Sequence, residues 1–74
     1  MERLRRIDSW EFDWNEDIQA YECRGPLTYD DEHDEIPDES LWKAAERLRQ
    51  QLEDDGYVAE LKYSEKGWVE VEIV

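Results

Sequence analysis

Residues 56–73 read GYVAELKYSEKGWVEVEI, and the fold turns on how this stretch pairs with itself. Tyr57, Ala59, Leu61 and Tyr63 alternate with Val58, Glu60 and Lys62. Val69, Val71 and Ile73 alternate with Glu70 and Glu72. A period of two marks strands with one apolar face. The linker Glu65-Lys66-Gly67 can be tested by register. A three-residue loop with Gly67 in the left-handed region sets Tyr63 opposite Val69, Leu61 opposite Val71, Ala59 opposite Ile73 and Lys62 opposite Glu70. A two-residue loop would put Leu61 opposite Glu70 and break the apolar face. The three-residue hairpin is therefore expected.

Upstream the period lengthens. Leu41, Ala45, Leu48 and Leu52 recur at helical spacing, with Trp42 widening the stripe. The pattern predicts a helix over about 38–55. Pro37 and Asp38 suit its start, acids suit its first turn, and Gly56 suits the left-handed residue after its last. Glu39–Lys43 and Glu46–Arg49 are expected side-chain pairs along it.

Further upstream, Trp10, Phe12 and Trp14 alternate with Glu11 and Asp13, which reads as a strand with an aromatic inner face. Asn15-Glu16-Asp17 is turn-like, and Ile18–Arg24 can return as a second strand before Gly25-Pro26 stops it. A three-residue turn would set Trp14 beside Ile18 and Phe12 beside Ala20. Residues 27–37 show no period and read as an acidic loop. The expected architecture is an α+β two-layer sandwich in ββαββ order: a mainly antiparallel sheet of about four strands, one face covered by the helix. The other face would carry Glu11, Asp13, Glu60, Glu70 and Glu72, with Lys62 among them. One domain over 1–74 fits the length, which is near the lower limit for a single core. Four Trp, four Tyr and one Phe supply the apolar bodies that disordered acidic tails lack.

Charge gives the strongest functional signal. The net charge is −13. Between Asp8 and Glu39 there are thirteen acidic residues and one basic one, Arg24. Such self-repulsion opposes compaction, so the field has a use, or the surroundings make acid-rich surfaces ordinary. A polyanion attracts basic surfaces, and basic grooves in cells belong mostly to nucleic-acid-binding proteins. Carboxylates on a sheet form an ordered anionic array able to occupy such a groove. Direct nucleic-acid binding is disfavoured, because phosphate affinity needs Lys and Arg and the one basic cluster is Arg3, Arg5 and Arg6. A membrane role is disfavoured too. No apolar run is long enough to span a bilayer, anionic lipid would repel the chain, and Met1–Arg6 runs into Ile-Asp-Ser-Trp without a signal-peptide core. These features, with a lone Cys23 read as a reduced thiol, point to the cytoplasm.

Enzyme chemistry is not expected. His33 is the only histidine, Gly25, Gly56 and Gly67 are scattered at turns, and no triad or phosphate cradle can be assembled. Asp30-Asp31-Glu32-His33-Asp34-Glu35 lacks the glycine bend and spacing of a calcium loop, and one cysteine cannot build a thiolate zinc site. No metal or cofactor follows. The candidate partner-binding residues are Glu11 and Asp13 on the first aromatic strand; Tyr29, Asp30, Asp31, Glu32, Asp34 and Glu35 in the loop; Asp38, Glu39 and Trp42 at the helix start; and Trp68 at the last strand. Each aromatic here also has a plainer reading as partial core, and the loop as a solvated segment.

In size, in charge and in its Asp8–Glu39 stretch, the chain resembles small acidic phage proteins that inhibit host defence, the anti-CRISPR and anti-restriction class. The resemblance implies stoichiometric inhibition of a nucleoprotein complex in the host cytoplasm, without cofactor or catalysis. It carries no diagnostic motif, so no residue's role comes from it. Two other readings compete. A non-inhibitory interaction module, such as an antitoxin or adaptor, would bind through aromatics with little salt dependence. A small halophile protein would use its acids for solubility, which three Lys against six Arg would fit. Strand order and oligomeric state are not readable from the sequence.

Overall fold

The helical and two-residue periods each become one element of a computed structural model that spans Met1–Val74. The elements are β1 (Leu4–Ile7), β2 (Trp10–Asn15), β3 (Ala20–Arg24), β4 (Thr28–Tyr29), β5 (Glu35–Ile36), α1 (Glu39–Asp54), β6 (Ala59–Tyr63) and β7 (Trp68–Ile73). Five strands form one antiparallel sheet in the order β1-β2-β3-β7-β6, while β4 and β5 form a separate hairpin. The fold is α+β, with α1 laid over one face of the sheet against β1, β6 and β7.

The C-terminal hairpin has the expected register: Tyr63 pairs with Val69, Leu61 with Val71, Ala59 with Ile73 and Lys62 with Glu70. Gly67 sits at φ +87°, and a Cβ there would lie 2.2 Å from the Gly25 carbonyl oxygen. The close approach is used, because Gly25 N–H donates to the Gly67 carbonyl at 2.8 Å where β3 and β7 meet. Only glycine fits.

Helix α1 starts where Asp38 caps it: the Asp38 carboxylate accepts from Leu41 N–H at 3.0 Å. Leu41, Ala44, Ala45, Leu48 and Leu52 are fully buried against Phe12, Tyr21, Val69 and Val71. Each buried Leu contributes roughly 1.5–3 kcal/mol of hydrophobic stabilisation. Glu39 pairs with Lys43 at 3.1 Å. Arg49, however, pairs with Glu53 at 3.8 Å instead of with Glu46, an i,i+4 contact in the less favourable order, with the base N-terminal to the acid.

Three sequence expectations need correction. First, the sheet has five strands, because Leu4–Ile7 joins it as an edge, paired to β2 through a two-residue turn with Asp8 at φ 57°. Three arginines in seven residues masked its alternation. Second, the β2–β3 turn has four residues, which pairs Trp14 with Tyr21 and Asn15 with Ala20 instead of Trp14 with Ile18 and Phe12 with Ala20. The Asn15 side chain accepts from Asp17 N–H at 3.0 Å, and Gln19 takes a positive φ of 54°. The shift turns Tyr21 and Cys23 into the core and Glu22 outward. Third, residues 27–37 are no featureless loop. Thr28 pairs with Ile36 and Tyr29 with Glu35, and the Asp30 carboxylate accepts from both Glu32 N–H and Asp34 N–H at 2.9 Å.

Candidate functional site

No element covers the second face of the large sheet, and the strand registers decide which side chains share it. Across its middle runs the row Leu4, Asp13, Glu22, Glu70, Lys62. Beside it runs Asn15, Ala20, Glu72, Glu60. Towards the other end, Arg6 stands opposite Glu11 and Arg24 opposite Trp68. Six carboxylates therefore share one face, about 4.8 Å apart across strands and roughly 6–7 Å apart along them.

Their arrangement opposes the fold. Asp13–Glu22, Glu22–Glu70 and Glu60–Glu72 are like-charge pairs directly across from one another, and such pairs destabilise a sheet. Compensation is partial. Lys62 reaches diagonally to Glu72 at 2.6 Å rather than to Glu70, and this hydrogen bond pushes its pKa up. Arg6 pairs with Glu11. Arg24 turns away, with its Nε donating to the Lys66 carbonyl at 3.0 Å. Asp13, Glu22, Glu60 and Glu70 have no basic partner. Trp68 borders the array, 36% exposed.

The other sequence candidates divide by what their side chains already hold. Glu35 is anchored: its carboxylate accepts from Tyr63 Oη–H at 2.5 Å and from Lys66 N–H. These bonds dock the β4–β5 hairpin on the β6–β7 turn and hold the Glu35 carboxyl below its ordinary pKa. Burial and the Glu35 bond together push the Tyr63 hydroxyl up. Asp30 is spent on its hairpin and Asp38 on the helix cap. Asp31, Glu32 and Asp34 are exposed at the hairpin tip, and Tyr29 is 53% exposed. Glu39 is paired with Lys43, and Trp42 packs partly into the core on the helix side. The structure thus separates the open sheet face, with Glu11, Asp13 and Trp68, from the hairpin tip and the helix start.

Glu22 is the residue that sequence reasoning missed, and it lies at the centre of the face. Asn15 held the signal. An Asx-type turn there lengthens the connection by one residue and reverses the parity of β3. Cys23, one position on, faces the core, and burial pushes its thiol pKa up, so it stays protonated. No group of three or more His, Cys, Asp or Glu side chains is disposed to hold a metal ion, and no helix is long and apolar enough to cross a membrane. No family model, curated protein or solved structure matches the chain.

Proposed function

We propose that this chain is an acidic binding protein that inhibits a nucleic-acid-binding complex by occupying its basic groove, in the manner of phage anti-CRISPR and related anti-defence proteins. The observation that carries the reading is the uncovered sheet face, where three like-charge cross-strand pairs stand together and four carboxylates lack a basic partner. A fold that needed only solubility would gain from interleaving Lys or Thr at these positions. Retaining the repulsion makes sense if a cationic surface neutralises it on binding, as opposite fields also speed encounter.

Charge segregation favours this over a general solvation role. The exposed surface of α1 mixes signs, with Lys43, Arg47 and Arg49 among Glu39, Glu46 and Glu53. The sheet face is predominantly acidic. Trp68 at its border supplies an apolar contact of the kind that anchors interfaces. The protein would act by occupancy, one molecule per groove, with no chemical step.

The test is a pull-down from host lysate at low and moderate salt, comparing the wild type with two charge-reversed variants. One carries Lys at Asp13, Glu22 and Glu70; the other carries Lys at Asp31, Glu32 and Asp34. The reading expects salt-sensitive capture of nucleic-acid-binding proteins that the sheet variant loses. Equal capture by the sheet variant would refute it.

A further inference from the structure

The large sheet has two edges, β1 and β6, and β6 pairs only with β7. Ser64 N–H donates to the Trp68 carbonyl at 3.1 Å, and Val74 N–H donates to the Val58 carbonyl at 2.9 Å. Backbone groups alternate sides along a strand, so the even-numbered residues here aim theirs at β7. Ala59, Leu61 and Tyr63 aim theirs at the open edge, where no backbone hydrogen bond meets them. The register with β7 is continuous and the strand holds no proline, so no bulge or missing N–H interrupts this row.

The order of side chains on β6 suits one partner, a second copy of itself. In an antiparallel pair centred on Leu61, Leu61 stands opposite its own copy, Ala59 opposite Tyr63, and Glu60 opposite Lys62. Two-fold symmetry makes the Glu60–Lys62 pair occur twice. The same register matches the three outward-facing residues to one another, so every free N–H meets a free C=O. Centring one residue either way fails, because Glu60 would face Glu60 or Lys62 would face Lys62. The other edge has no such solution: centring on Arg5 or Arg6 of β1 sets an arginine opposite itself. Glu60 gains most, since within one chain it stands across from Glu72 and has no basic partner. Lys62 holds Glu72 at 2.6 Å and has ammonium donors to spare.

We infer that two copies of this chain pair antiparallel through β6, centred on Leu61, joining their sheets into one. The two-fold axis stands perpendicular to the sheet, so both acidic faces lie on the same side and stay uncovered. The inference is independent of the groove-occupying reading, which needs only one such face.

The test is sedimentation of the pure protein from about 10 µM to about 1 mM in about 0.15 M salt, where repulsion between chains of charge −13 is screened beyond roughly 8 Å. The average mass is expected to rise from the 9.0 kDa monomer towards twice that value. Amide exchange over the same range locates the contact. The Ala59, Leu61 and Tyr63 amides should slow as concentration rises, while those of Glu60 and Lys62, which face β7, should not change. Glu60→Lys should weaken association about tenfold or more. It relieves the Glu60–Glu72 repulsion, so the monomer keeps its fold. Lys62→Glu should likewise repel its own copy, yet pair with Glu60→Lys when the two variants are mixed. A monomer throughout the range, exchange that slows equally along β6, or Glu60→Lys associating as the wild type does would each overturn the inference. Salt-sensitive partner capture by a protein that stays monomeric would leave the groove-occupying reading intact.

Discussion

Glu22 and Glu70 stand directly opposite each other on β3 and β7, with Asp13 across from Glu22 on the next strand. Three adjacent strands thus present carboxylates in one line, with a lysine only at its far end. This line joins the N-terminal strands to the C-terminal hairpin, so it exists only after the fold has closed. Its repulsion is a property of the folded state.

Relieving that repulsion should stabilise the protein. Glu22→Thr or Glu70→Thr is expected to raise unfolding free energy by roughly 0.2–1 kcal/mol, measured by urea denaturation in low salt. The same substitutions should weaken partner binding. A loss of stability in both would show that the carboxylates are structurally favourable where they stand.

Gly67 is expected to tolerate no side chain. A Cβ would meet the Gly25 carbonyl oxygen at 2.2 Å, on a backbone at φ +87°. Gly67→Ala should cost at least about 2 kcal/mol by the same denaturation measurement. Gly56, at φ +96° with open space around it, should lose less on the same change.

The hairpin's attachment should respond to acid. The Glu35 carboxyl lies below its ordinary pKa because Tyr63 and the 66–67 backbone donate to it. A depressed folded-state pKa gives stability that is present above the ordinary glutamate range and is lost as pH falls through the lower folded value. Wild type should therefore be more stable than Glu35→Gln at neutral pH, the difference closing in acid. Amide exchange of residues 28–36 should rise in parallel. A difference unchanged with pH would contradict the role given to this carboxylate.

Helix initiation depends on Asp38. Asp38→Ala removes the acceptor for Leu41 N–H and should cost about 1 kcal/mol. Asp38→Asn should cost much less, since the amide oxygen can accept the same bond.

What the sequence made legible was local. The 59–73 hairpin could be registered because one alternative put a glutamate against a leucine, and the helix because its leucines repeat at one spacing. The N-terminal strands were harder. Their pairing depended on one turn residue, Asn15, and β1 sets two adjacent arginines between its two apolar side chains, which breaks the alternation. The same turn error hid Glu22, the centre of the candidate surface. Glu35 looked like any other loop acid, because its partner Tyr63 lies 28 positions away. Strand order also stayed hidden, since the β3–β7 contact joins halves of the chain that carry no mutual pattern.

The most direct test of the groove-occupying account compares the wild type with the Asp13→Asn, Glu22→Gln, Glu70→Gln triple variant as bait in host lysate. Salt is varied from about 0.1 to 0.5 M, and duplex DNA or RNA is added as competitor. Neutral isosteres remove charge without adding bulk and should not unfold the sheet. The account predicts that the wild type retains nucleic-acid-binding proteins at low salt, releases them to salt or competitor, and that the variant retains far fewer. Equal retention by both baits, indifferent to salt and to nucleic acid, would contradict it.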